Sequence, residues 1–244
     1  MGGSGEVRFK DIELKDLARR IVPTETTASR FRLQRIDDFY TGWSAVAGDF
    51  NRDGVLDVAA GNRVYLGPGY TESREVYVAP AYNPTTEYTP AMVNFAFDYT
   101  GDGWDDLLVA ETRTPVLYVN PRGESRRWDR HVVLPPVTSE VVVFKDVDGD
   151  TTPDAVLVGG GVVSYASVNS ADPTSPWTVH VISEPGPWPI HGVGAGDVNG
   201  DGRVDILTPY GWWEQPPTDS GKPWKFHAVD LGFGGRDLRE RVGG

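Results

Sequence analysis

His191-Gly-Val-Gly-Ala-Gly-Asp197-Val-Asn199-Gly-Asp201-Gly202-Arg-Val-Asp205 places acidic side chains at positions 1, 5 and 9 of a nine-residue loop, with an amide at position 3. The same arrangement occurs three times earlier, without gaps. It stands in Trp43-Ser-Ala-Val-Ala-Gly-Asp49-Phe-Asn51-Arg-Asp53-Gly54-Val-Leu-Asp57 and in Met92-Val-Asn-Phe-Ala-Phe-Asp98-Tyr-Thr100-Gly-Asp102-Gly103-Trp-Asp-Asp106. It stands again in Glu140-Val-Val-Val-Phe-Lys-Asp146-Val-Asp148-Gly-Asp150-Thr151-Thr-Pro-Asp154. The first Asp of each loop recurs after 49, 48 and 51 residues, so the chain is an array of four units of about 50 residues.

Around each loop the same apolar segments return. A strand leads into the loop, and a second follows it at Val58-Ala-Ala, Leu107-Leu-Val-Ala, Ala155-Val-Leu-Val and Ile206-Leu. A third lies near Val64, Val116, Val162 and Trp212, and a fourth at Glu75-Val-Tyr-Val, Trp128, Trp177 and Trp224. Four short strands per unit of this length predict an all-β chain built as a β-propeller of four-stranded blades. A β-helix repeat is much shorter, and a sandwich does not repeat its loop chemistry. The first strands show little polar alternation, which predicts burial on both faces. Gly at 29 and Pro at 19 fit many turns and short strands rather than a helical bundle.

The blades are expected over residues 31–232, with inner strands starting near 43, 92, 140 and 191. Phe31-Arg-Leu-Gln-Arg-Ile36 precedes Trp43 by the twelve residues that separate Trp128 from Glu140, so it reads as a fifth outer-type strand. That count predicts a ring the four units do not close alone, completed by further blades, other copies or a partner chain. Residues 1–30 hold a start residue with a Gly-rich linker and a short amphipathic helix, Asp11 to Ile21, with Leu14, Leu17, Ala18 and Ile21 on one face. Residues 233–244 read as a flexible tail.

The loops have the chemistry of a hard-cation site. Side-chain oxygens at positions 1, 3, 5 and 9 and the carbonyl of position 7 supply about five ligands, which suits Ca²⁺. The predicted ligands are Asp49, Asn51, Asp53, Val55 and Asp57 in the first loop and Asp98, Thr100, Asp102, Trp104 and Asp106 in the second. They are Asp146, Asp148, Asp150, Thr152 and Asp154 in the third and Asp197, Asn199, Asp201, Arg203 and Asp205 in the fourth, for up to four ions. A glycine at position 6 permits the turn round the ion. The third loop has Thr151 there, and a β-branched residue resists positive φ. It is therefore expected to be the loosest of the four sites, although Asp148 gives it the most charge.

The ligand positions hold thirteen Asp carboxylates against a formal net charge of −12, so the acidity belongs to the loops rather than to a field for a basic partner. Such a chain does not suit the phosphate backbone of nucleic acid. No apolar run reaches the roughly 18 residues that span a bilayer. Cysteine is absent, which excludes disulfides and thiol chemistry.

The four loops and their flanking strands resemble the FG-GAP/VCBS repeat family, to which the integrin α-chain propeller belongs. The resemblance implies a calcium-stabilised propeller that is secreted, periplasmic or cell-surface. The segment from His191 to Gly202, with Gly211-Trp212-Trp213-Glu214-Gln215-Pro216 and Trp224-Lys-Phe-His227, is also similar to bacterial secreted relatives of the aldos-2-ulose dehydratase propeller. That implies a metal-containing lyase acting on keto-sugars, whose additional cupin domains have no room in this chain. Fold alone fixes no activity.

Repeat position separates packing from chemistry. His131, His180 and His227 each follow a Trp by three residues in an outer strand, so they are read as packing residues. His191 starts an inner strand, where the other blades have Trp43, Met92 and Glu140, and these four are expected to ring the mouth of the channel. The loops between second and third strands bring Asn62, Arg63, Glu111, Arg113, Pro209 and Tyr210 to that face, and Trp188 precedes His191. Trp43, Arg63, Glu111, Arg113, Trp188 and Tyr210 are the candidate ligand contacts, for a carbohydrate or a protein partner. His191 and Glu140 are the candidate acid and base for proton abstraction beside a carbonyl. Three readings stay open: a binding module, a sugar lyase, and a building block with a plain polar rim.

Overall fold

A computed structural model describes residues 33–111, 113–188, 191–218 and 221–229. The segments read as an N-terminal helix and a tail lie outside these residues, as do Phe31 and Arg32 of the proposed extra outer strand. Its remaining residues, 33–36, are not a strand. The chain divides into two compact units, Met1–Asp38 and Phe39–Gly244, and all the blades lie in the second.

Each repeat folds as one antiparallel four-stranded sheet in simple sequence order. The first blade is β1 (Ala45–Gly48), β2 (Asp57–Ala60), β3 (Arg63–Tyr65) and β4 (Ser73–Glu75). The second is β5 (Asn94–Phe97), β6 (Asp106–Glu111), β7 (Thr114–Val119) and β8 (Asp129–Val132). The third is β9 (Val143–Lys145), β10 (Asp154–Gly159), β11 (Val162–Ser167) and β12 (Thr178–Val181). The fourth is β13 (Gly194–Gly196), β14 (Asp205–Thr208), β15 (Gly211–Glu214) and β16 (Lys225–Ala228).

Two expectations need correction. β4 begins two residues before the Glu75-Val-Tyr-Val segment, because the turn that closes with Leu66 N–H on the Glu72 carbonyl sets Ser73 opposite Tyr65. The inner strands are also not buried on both faces: β1, β5, β9 and β13 are largely half-exposed. The strands buried throughout most of their length are β6, β7, β10, β11 and β14, the second and third strands of the blades. Burial peaks where a strand has sheet neighbours on both edges and blades on both faces, and an innermost strand has a neighbour on one edge only.

The core lies between blades, in three seams. Ala59, Val64 and Leu66 of the first blade meet Leu107, Val109, Val116 and Tyr118 of the second. Leu108 and Leu117 meet Ala155, Leu157 and Ala166 of the third. Val156, Val158, Val163 and Tyr165 then meet Ile206 and Trp213 of the fourth. A tryptophan immediately before β8, β12 and β16 locks each of the three seams. The N–H groups of Trp128, Trp177 and Trp224 donate to the carbonyls of Val76, Val133 and Ile182 in the preceding blade, at 3.0, 2.8 and 2.8 Å. Their rings rest beside the second residue of that blade's acidic loop: Trp128 against Phe50, Trp177 against Tyr99, and Trp224 in one cluster with Val147.

Candidate metal loops and propeller mouth

Hydrogen bonds inside each acidic loop fix its turn. The position-1 carboxylate accepts the N–H of position 6 in all four: Gly54 to Asp49, Gly103 to Asp98, Thr151 to Asp146 and Gly202 to Asp197. Position 6 sits at φ 81°, 84° and 85° in the glycine loops, and Thr151 is held at 76°. The threonine has therefore adopted the left-handed conformation at a cost of roughly 1–2 kcal/mol.

The position-9 carboxylates, Asp57, Asp106, Asp154 and Asp205, are fully buried. One oxygen of each accepts a backbone N–H from position 2 or 3 of its own loop: Phe50, Thr100, Val147 and Val198. The other oxygen of Asp57, Asp106 and Asp205 accepts the N–H of Gly67, Asn120 and Gln215, tying the loop to the end of the third strand. Desolvation raises the pKa of Asp106 to about 6. It raises Asp154 to about 7, helped by the charges of Asp148 and Asp150.

The third loop departs from the others at this residue. Asp154 Oδ1 is buried and has no hydrogen-bond partner. Oxygens of Asp146, Asp148 and Asp154 lie within 4.8 Å of one another. Three converging carboxylates, one with a buried unused oxygen, match a hard divalent cation in donor type and in unmet polarity. In the other loops, side chains of the protein also engage position 5. Arg122 meets Asp102 at 2.8 Å, Arg203 pairs with Asp201, and the amides of Asn51 and Asn199 donate to Asp53 and Asp201.

At the opposite ends of the inner strands, His191 Nδ1 stands 2.8 Å from Glu140 Oε2, joining the fourth blade to the third. Glu140, Arg113 and Met92 line a cavity of about 540 Å³ with Tyr82, Tyr88, Thr89 and Pro90. Tyr88 is 79% exposed and stacks on Trp43, with ring centroids 5.6 Å apart and planes within 10°. Arg113 is exposed and its backbone is held at φ 71°. Non-glycine residues in that region concentrate at functional sites.

The remaining candidates lie in other settings. Glu111 accepts from Arg130 at 2.8 Å and from the Tyr118 hydroxyl. Arg63 donates to Ser73 Oγ at 3.0 Å. Trp188 packs on Trp213 and Phe226 in the third seam and donates to the Glu184 carbonyl. The Tyr210 carbonyl accepts from Val229. Asn62 is buried, with its amide on the Tyr77 carbonyl. His180 and His227 stack on Tyr165 and Trp212 and bond to Ser167 and Glu214, as packing residues would.

Repeat alignment missed Tyr82 and Tyr88 because they lie between repeats. A length signal pointed to them: eighteen residues separate β4 from β5, against ten between β8 and β9 and twelve between β12 and β13.

No curated protein and no solved structure matches the chain. Residues 98–157 and 146–208 match the FG-GAP-like repeat, and residues 41–78 match the FG-GAP repeat. With four like sheets bearing the same loop, the chain belongs to the FG-GAP repeat family of β-propeller modules.

Proposed function

We propose that this FG-GAP module is calcium-stabilised, works outside the cytoplasm, and binds a saccharide at the mouth formed by Trp43, Tyr88, Arg113, Glu140 and His191. The observation that carries the reading is the exposed Trp43–Tyr88 stack beside a cavity lined by Arg113 and Glu140. Exposed flat rings stack on sugar faces, while a cation and a carboxylate address hydroxyl or carboxylate groups. Calcium fits the third loop by its donors, and the repeat places oxygen donors at the same positions of the other three loops. Titration calorimetry with neutral and uronic-acid oligosaccharides tests the mouth. Tyr88→Ala and Trp43→Ala should each weaken binding about tenfold or more, the scale of a lost aromatic anchor. Binding untouched by both variants, or none by the parent protein, would sink the reading.

The His191–Glu140 pair favours a second reading, a lyase for keto-sugars. One member removes the proton beside the carbonyl, and the neighbouring C–O bond breaks, its hydroxyl leaving as water after protonation by the other. The product is a conjugated enone, so ultraviolet absorbance growing with a keto-sugar, and lost in His191→Ala, separates catalysis from binding.

A further inference from the structure

The three seams inside the chain show what covers a blade face, and among the described residues two faces lack that cover. On the side of each blade that looks toward the next, Ala59 and Val64, Leu108 and Leu117, and Val156 and Tyr165 are buried. Their counterparts in the fourth blade, by strand register, are Leu207 and Trp212, and both are only half-buried. Val198 is 42% exposed, whereas Phe50, Tyr99 and Val147, at the same loop position, are 3%, 5% and 4% exposed. Val229, which corresponds to Val76, Val133 and Ile182, whose carbonyls accept the tryptophan N–H groups of the seams, is exposed as well.

The first blade shows the reverse. Its backward-looking residues Val58 and Ala60 are half-buried, while Leu107 and Val109, Ala155 and Leu157, and Ile206 and Thr208 are buried. The place filled by Trp128, Trp177 and Trp224 holds exposed Thr71. Among the described residues, no hydrophobic cluster joins the fourth blade to the first.

We propose that the forward face of the fourth blade takes the backward face of the first blade of a second copy, head to tail, as a fourth seam built on the pattern of the internal three. The sizes are complementary: Leu207 and Trp212 are large where Val58 and Ala60 are smaller, the converse of the first seam, where Ala59 and Val64 meet Leu107 and Val109. Thr71 leaves Val198 without the tryptophan lid of the other seams, so the contact is reversible rather than permanent. A heterologous contact of this kind closes a ring or extends a filament. The inference is independent of any ligand at the mouth, and its test reads mass and cross-linking rather than binding.

Light scattering from about 1 µM to about 200 µM, the range of reversible contacts, should show mass rising above 26.7 kDa. Val198→Arg, at an exposed site, should hold the mass at one chain with an unchanged circular dichroism spectrum. Thr71→Trp should tighten association about tenfold by restoring an aromatic anchor. The chain has no cysteine, so single-cysteine variants give a direct reading. Copies carrying Val198→Cys mixed with copies carrying Thr71→Cys should form a disulfide-linked pair that neither forms alone. Three results overturn the proposal: one-chain mass throughout with no cross-link, association indifferent to Val198→Arg, or a cross-link within single chains of the double-cysteine variant at high dilution. The last would mean that the fourth blade closes on the first within one molecule.

Discussion

Asp154 and Asp205 occupy the same place in adjacent blades, and both are fully buried. Both oxygens of Asp205 hold backbone N–H groups, from Val198 and Gln215. Asp154 holds backbone on one oxygen, leaves the other unused, and gathers Asp146 and Asp148 beside it. One residue is a structural pin in a loop that is largely satisfied internally. Its neighbour is a buried carboxylate with an unmet oxygen and like charges beside it, the feature on which the proposed cation site rests. Identical residues in identical repeats therefore do different work, and what differs is whether the third strand returns an N–H to the loop.

The largest expected effect is that of calcium removal. A ligand at a hundredfold excess over its dissociation constant stabilises the folded state by about 2.7 kcal/mol per site. With several sites, EDTA should lower Tm by about 10 °C or more, and added Ca²⁺ should restore it. An unchanged melt would reduce all four loops to ordinary turns. Next in size, Asp205→Ala should cost about 3 kcal/mol with or without calcium, since it strands two part-buried N–H groups and empties a fully buried position. Asp154→Asn should be nearly neutral in EDTA, because it removes a buried charge, yet weaken Ca²⁺ binding about tenfold or more. Equal losses from the two substitutions in EDTA would erase the distinction between pin and ligand.

Thr151→Gly sharpens the comparison within the third loop. It releases the strain of φ 76° but loosens the unfolded chain, for a net gain of about 0.5–1 kcal/mol. A less stable variant would mean that the threonine's contacts outweigh its backbone cost. The smallest stability effect belongs to the other end of the blades. His191→Ala should change stability by under about 0.5 kcal/mol, as exposed substitutions do, while lowering affinity for a mouth ligand.

The blade rows and the acidic loops were legible because they repeat. Four copies in register expose a pattern that one copy hides, and Thr151 stood out as the break in that pattern. Pairings between strands were not legible in the same way. Glu111 reads as a loop carboxylate free to meet a ligand, but folding brings Arg130 and the Tyr118 hydroxyl to it. Trp188 lies next to His191 in sequence but is drawn into the seam by Trp213 and Phe226. The two roles of the position-9 aspartate were also hidden, since they depend on the backbone at the end of the third strand rather than on the loop.

The tryptophan locks have a consequence for how the molecule comes apart. Each joins a blade only to the one before it, so cohesion passes along the array link by link. Blades with one locked neighbour should fray before those with two. In hydrogen exchange, the amide of Trp177, at the middle seam, should outlast those of Trp128 and Trp224 at the seams beside the end blades. A second copy seated on the fourth blade would turn one fraying end into an interior, so dilution alone would speed exchange at the ends while leaving the centre unmoved.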